Sequence, residues 1–250
     1  MKTTGNTMFI PGGTSGIGLG LALRFHAAGN TVIVAGRRRE KLEEIASEHP
    51  GIHTVELDVS DPGSITAVAA DVQARFGDLD VLIAMAGVMK TEDVHTGDFV
   101  DTAAEVVTTN LLGSIRLIGA FTEFFAAKSE ATIMTVSSGL AFTPMAATPT
   151  YSATKAAVHA FTDAIRIQLA DTGIQVIELA PPAVQTDLMP GQAEADWAMP
   201  LDDFLTEVVS IIDADPTVRE ILVENVKPLR HSETNGNRDA MMAQLAGQVH

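Results

Sequence analysis

Apolar residues fall along this chain in two alternating rhythms. Short runs rich in valine, isoleucine and leucine are separated by longer segments in which apolar residues return every third or fourth position. This is the pattern of βα units around a buried parallel sheet. The runs place strands at Thr7–Ile10, Thr31–Ala35, Ile52–Leu57, Leu79–Ala84, Ala131–Val136, Ile174–Leu179 and Glu220–Glu224. The longer segments place helices near Gly16–Ala28, Arg38–Glu48, Pro62–Phe76, Glu105–Lys128 and Thr150–Asp171. Asp61 before Pro62 reads as an N-cap followed by the residue best tolerated in a first turn, and Gly29, Gly77 and Gly173 stand where helices should stop. The alternation predicts one α/β domain over residues 1–250, with a doubly wound, seven-stranded parallel sheet in a three-layer αβα sandwich.

The longest stretch without a regular pattern is Ala180–Pro200, which holds Pro181, Pro182, Pro190, Gly191 and Pro200. Loops of this length in a compact domain are usually functional or disordered. It is expected to form a mobile lid, residues 181–213, ending in a short helix at Leu201–Asp213. Met241, Met242 and Leu245 share a face and predict a helix at Gly236–Val249 within a C-terminal tail, residues 225–250.

Composition narrows the function. There is no cysteine, which excludes disulfides, thiolate metal sites and thiol nucleophiles and fits a reducing compartment such as the cytoplasm. Met1–Thr7 has one lysine and no apolar core, so no signal peptide is expected. No stretch approaches the roughly 18 uninterrupted apolar residues of a membrane span. With 32 acidic against 16 basic residues, a net charge of −16 disfavours nucleic acid and anionic membranes as partners. An anionic cofactor would have to be held by local groups, helix N-termini and a few arginines.

Such groups are present. Directly after the first strand comes Gly12-Gly13-Thr14-Ser15-Gly16-Ile17-Gly18, which opens into a helix. Glycines at such a turn let backbone N–H groups approach a pyrophosphate at the positive end of the helix. After the second strand comes Gly36-Arg37-Arg38-Arg39, where an acidic residue would accept from a ribose 2′-hydroxyl and arginine accommodates a 2′-phosphate. Three arginines at a helix start are electrostatically unfavourable. That cost favours a functional reading, with NADP(H) preferred over NAD(H). Further on, Tyr151 and Lys155 share a helix face at four-residue spacing, and Tyr151 is the only tyrosine. Thirteen residues before it, Ser137 and Ser138 follow the fifth strand, at the carboxyl end where open α/β sheets place ligands.

Glycine loop, arginines, Ser138, Tyr151 and Lys155 together resemble the classical short-chain dehydrogenase/reductase family, with its Rossmann-type fold. The resemblance runs from Thr7 to about Glu224 and includes Asn110 in Asn110-Leu111-Leu112-Gly113 and Asp58-Val59 after the third strand. It implies that Tyr151 exchanges a proton with the substrate oxygen, Ser138 holds that oxygen, Lys155 binds the nicotinamide ribose and lowers the tyrosine pKa, and Asn110 positions a water in a proton relay. It implies a cofactor site of Gly12, Thr14, Ser15, Ile17, Gly18, Arg37, Arg38, Asp58, Val59, Ala86, Gly87, Tyr151, Lys155, Pro181, Val184 and Thr186. It also implies a homodimer or homotetramer, built on the Glu105–Lys128 and Thr150–Asp171 helices.

Three positions depart from the family pattern. Pro11 replaces a threonine, Ala84-Met85-Ala86-Gly87 replaces Asn-Asn-Ala-Gly, and Pro181-Pro182 replaces Pro-Gly. The last, with the lid Gln185–Gln192, resembles a family branch associated with D-alanine esterification of lipoteichoic acid, yet no residue demonstrates that substrate. Met89, Gly139, Leu140, Phe142, Met145, Met189 and Trp197 flank the predicted site and are the candidate substrate pocket. No metal site is expected: His49 and His53 are split by Pro50-Gly51, and His159 is expected to pack or face solvent. The expected activity is NADPH-dependent reduction of a small to medium, largely apolar ketone, or oxidation of the matching secondary alcohol. A sugar or hydroxysteroid dehydrogenase, and a weakly catalytic cofactor-binding regulator, remain as alternatives.

Overall fold

A computed structural model describes residues 1–247. Its sheet contains β1 (Thr7–Pro11), β2 (Thr31–Gly36), β3 (His53–Glu56), β4 (Val81–Ala84), β5 (Ala131–Val136), β6 (Ile174–Leu179) and β7 (Glu220–Ile221). All pairings are parallel, in the order β3-β2-β1-β4-β5-β6-β7. The helices are α1 (Gly16–Ala27), α2 (Arg39–Glu48), α3 (Pro62–Arg75), α4 (Phe99–Val106), α5 (Gly113–Ala126), α6 (Pro149–Gln168), α7 (Leu201–Ala214), α8 (Lys227–Arg230) and α9 (Arg238–Ala246). The last of these lies within the expected Gly236–Val249 helix, of which residues 248–249 fall outside the described ones.

The strands are apolar on both faces because helices cover both. Along β1, Met8 and Ile10 join one core with Val32, Val34, Val81 and Ile83, roofed by Leu21 and Phe25 of α1 and Phe204 and Val208 of α7. Phe9 points the other way, into a second core with Ile33, Leu82 and Ile133 under Val72 of α3 and Phe121 and Phe125 of α5. This is the period-two side-chain alternation of a strand, with both faces dry.

Two expected elements came out differently. β7 is two residues rather than five, because the chain turns into a 3-10 turn at Glu224–Val226 and then α8. The helix expected from Glu105 begins at Phe99 and is interrupted by a π-helical turn, Val107–Leu112, between α4 and α5. Such turns are rare and are found frequently at functional sites.

Pro11 sits in a central strand, where proline costs a ladder bond. It is the last residue of β1, whose pairing with β4 ends at Phe9 with Leu82, so the missing N–H falls beyond that ladder. The segment Ala180–Pro200 is tied to itself: Met199 N donates to Ala183 O and Gln185 N to Met199 O, both at 2.9 Å. Gln192, buried, donates from Nε2 to Val184 O at 2.7 Å.

Candidate active site

The strand order reverses at β1 and β4, and open α/β sheets bind ligands in the crevice at that point. A cleft of about 540 Å³ opens there, at the carboxyl ends of the central strands. Every residue assigned to the cofactor by resemblance lines it, as do Ser138 and Met89.

The cleft fits a dinucleotide. Gly12 has φ +90° and Gly16 φ +51°, in the left-handed region that disfavours a side chain. A Cβ on Gly12 would lie 2.7 Å from the Ala86 Cα, and one on Gly18 would lie 2.3 Å from the Gly12 carbonyl oxygen. The loop is therefore drawn tight against Met85 and Ala86, in the segment after β4. At the start of α1 the N-cap Ser15 makes no side-chain cap bond and the first turn carries no acidic residue. An uncapped helix N-terminus facing a cleft is an anion site. The Ser137 hydroxyl, buried in the cleft wall, has no hydrogen-bond partner among the described residues and is free for a polar ligand. The three arginines divide: Arg39 Nε is bound to Glu43 at 3.0 Å, whereas Arg37 and Arg38 line the cleft, and Arg38 Nη2 reaches Ser15 Oγ at 3.4 Å. The Asp58 carboxyl is held below its ordinary range, chiefly by the Ser60 hydroxyl at 2.6 Å.

At the other end of the cleft, α6 carries Tyr151 and Lys155 toward Ser138, all three buried. Burial pushes the Tyr151 phenol up to about 12, against the pull of the neighbouring Ser138 hydroxyl. Burial likewise pushes the Lys155 ammonium down to about 8. Lys155 Nζ lies 5.5 Å from the centre of the tyrosine ring and donates to the Val136 carbonyl at 2.8 Å. At the phenol the causes are burial and, against it, the Ser138 hydroxyl; Lys155, over the ring, is itself destabilised by burial, and the lowering of the phenol that the resemblance implies stays an expectation.

Asn110 stands in the π-helical turn and works from behind the cleft wall. Its Oδ1 accepts from Val88 N and its Nδ2 donates to Val88 O, each at 2.8 Å, which fixes the segment that follows Gly87. The extra residue of the π turn thus accompanies a side chain aimed at this segment.

Most of the expected substrate pocket does not line the cleft. Gly139 packs under Leu229 and Val226, and a Cβ there would lie 2.7 Å from Leu229 Cδ1. Leu140 N caps back onto Ser138 Oγ, and Phe142 is held between His159, 4.7 Å away edge-on, and the Arg230 guanidinium at 4.3 Å. Met145 lines a separate hollow beneath α9, and Trp197 is half exposed. Met189 is also absent from the wall, while its neighbour Leu188 is in it. The wall also includes residues that were not predicted for the site, among them Met85, Val88, Lys90, Pro182, Leu188 and Gln192.

His159 does not simply face solvent: Nδ1 bonds Glu178 Oε2 at 2.8 Å. His159, Glu178 and Glu220 bring ligand-type atoms within 4.8 Å of one another. Arg230 holds Glu220 through two bonds, of 3.0 and 3.2 Å, so the cluster balances as two acid–base pairs.

A doubly wound sheet with a glycine cradle and a Ser, Tyr, Lys set at its switch point defines a nucleotide-dependent oxidoreductase. Residues 6–197 match the family model for the short chain dehydrogenases. The uncharacterized oxidoreductase DltE of Bacillus subtilis is 42% identical over 191 residues, 75% of each chain. The NADP-dependent 3-hydroxy acid dehydrogenase of Schizosaccharomyces pombe is 34% identical over 192 residues, 74% of each. A short chain dehydrogenase from Burkholderia cenocepacia in complex with NADP superposes with a TM-score of 0.82 at 21% identity, covering 98% of this chain and 99% of that one, a likeness of fold. The chain belongs to the short-chain dehydrogenase family, whose members are oxidoreductases that bind nicotinamide cofactors.

Proposed function

We propose that the protein is an NADPH-dependent carbonyl reductase acting on small to medium, largely apolar ketones, with Tyr151 as the proton donor. The observation that carries this reading is Tyr151, Lys155 and Ser138 buried together at one end of a cleft whose other end holds Arg37 and Arg38. When bound, the nicotinamide supplies the hydride. Gly12–Gly18 and the start of α1 hold its pyrophosphate, Arg37 and Arg38 its 2′-phosphate, and Val184 and Thr186 its amide. Ser138 hydrogen-bonds the substrate oxygen, and Tyr151 Oη gives that oxygen a proton. A phenol pushed up to about 12 carries its proton throughout the neutral range, which suits the reductive direction. Lys155 orients the cofactor ribose, and the π turn at Asn110 serves the return of a proton from solvent. Met85, Val88, Met89, Pro182 and Leu188 give the substrate an apolar wall. The segment 181–213 acts as the lid over it, and the cytoplasm is the expected compartment. The protein works as a homodimer or homotetramer.

The test is turnover of a ketone panel with NADPH and with NADH, beside binding of each cofactor. Tyr151→Phe is expected to lower kcat by about 10²–10⁴-fold while leaving the NADPH Kd unchanged. Turnover that survives Tyr151→Phe, or NADH bound as tightly as NADPH, would overturn the reading.

A further inference from the structure

The helix that carries Tyr151 and Lys155 is not capped from within. Its N-cap residue, Thr148, makes no side-chain cap bond, and its hydroxyl is buried without a hydrogen-bond partner among the described residues. Pro149 has no N–H to give, so the first donor of α6 is Thr150 N, the amide immediately before Tyr151. That N–H goes to Oε2 of Glu92 at 2.8 Å, a bond across 58 positions of the chain. Glu92 N in turn donates to the Ala147 carbonyl at 3.0 Å. Glu92 belongs to the segment between β4 and α4 whose earlier residues, Val88 to Lys90, form part of the cleft wall. A carboxylate at a helix N-terminus satisfies an orphan donor and complements the positive end of the helix dipole. Here it comes from outside the helix and joins the cleft wall to the first turn of the catalytic helix.

We propose that Glu92 is a positioning residue, which caps α6 and thereby holds Tyr151 in its buried place against Ser138. Only the catalytic role of Tyr151 rests on the function proposed above; its placement does not. Without the carboxylate, Thr150 N loses its partner and the first turn frays. The next residue, Ser152, stays tied through its hydroxyl to Thr148 O and Met145 N, so the effect falls on Pro149 to Tyr151.

Tyr151 is the chain's only tyrosine, so phenolate difference absorbance reads its ionisation directly, without substrate. Ser138 and Lys155, the groups that face the ring, are unchanged in the variants used. In Glu92→Ala the phenol is expected to titrate about one pH unit or more below the wild type, moving from about 12 toward the free-phenol value of 10.0. With a ketone and NADPH, kcat is expected to fall about tenfold while the NADPH Kd holds. Glu92→Gln keeps a neutral acceptor and is expected to restore both readouts to near wild type. If Glu92→Ala does not fold, Glu92→Leu fills the same space without an acceptor and takes its place. An unchanged tyrosine titration in the acceptor-less variant, or Glu92→Gln shifted as far as that variant, overturns the proposal. If no form turns over any carbonyl, the proposed function fails, and the titration still decides the role of Glu92.

Discussion

Tyr151 and Lys155 are buried together, and burial moves them in opposite senses because each is disfavoured in its charged form. The consequence can be read in stability. An unfolded lysine holds its proton to about 10.5, whereas folded Lys155 sheds it near 8. Between those values the unfolded state binds more protons, so stability rises with pH, from 8 to about 10. Above 10.0 the tyrosine takes over with the opposite sign: the unfolded phenol ionises while the folded one keeps its proton to about 12, and stability falls. Lys155→Met removes a buried cation and leaves one acceptor, Val136 O, without its donor. It is expected to be more stable than wild type at neutral pH, by roughly 0.5–2 kcal/mol, and to lose the rise between pH 8 and 10. Urea midpoints across that range test both points. A variant less stable than wild type at neutral pH would show that the Val136 bond outweighs the cost of burying the ammonium.

Between elements, the cluster of His159 on α6, Glu178 on β6, Glu220 on β7 and Arg230 on α8 ties α6 to the sheet edge. Glu178 is fully buried, with one oxygen bonded to His159 and the other without a partner among the described residues. Glu178, and then Asp163, raise the His159 pKa above 6.5 against burial and the Arg230 charge. A raised pKa contributes stability that is full below 6.5 and is lost as pH rises through the folded value. His159→Gln is therefore expected to be less stable than wild type below pH 6.5, with the gap narrowing above it. Parallel stability curves for the two proteins would remove His159 from the account. This clamp was not legible in the sequence, because its members lie far apart and no local pattern joins them. The strands were legible, since Met8, Phe9 and Ile10 are apolar whichever face they take. The start of α4 was not: among its residues only Val106, at its end, is buried, and Val100 near its start is exposed. The glycine turn and Ser138 follow strand ends, whereas Tyr151 and Lys155, on α6, were singled out by their resemblance to the family's pattern. That Phe142 lies against Arg230 and Met145 in a hollow beneath α9 was not legible, because a loop sequence does not say which distant elements it will meet.

The whole molecule sets a further condition on its cofactor. In the proposed reading, a net charge of −16 repels the more anionic NADPH at long range, while Arg37 and Arg38, which line the cleft, attract it at contact. The two effects respond to salt with opposite signs. Salt loosens the contact pairing, which in the wild type outweighs the diffuse repulsion, so NADPH is expected to bind more weakly as ionic strength rises from about 0.01 to 0.1 M, where the screening length shrinks from about 30 to 10 Å. The double variant Arg37→Ala with Arg38→Ala keeps only the repulsion, and in it the same salt should tighten NADPH binding. NADH lacks the 2′-phosphate, so its affinity should differ little between the two proteins at any salt. Titrations followed by the fluorescence of the reduced nicotinamide give all four slopes. Opposite slopes for NADPH in wild type and double variant would place the 2′-phosphate at these arginines. Equal slopes would mean that the arginines only solvate the start of α2, and that the cleft holds NADH and NADPH through the glycine cradle alone.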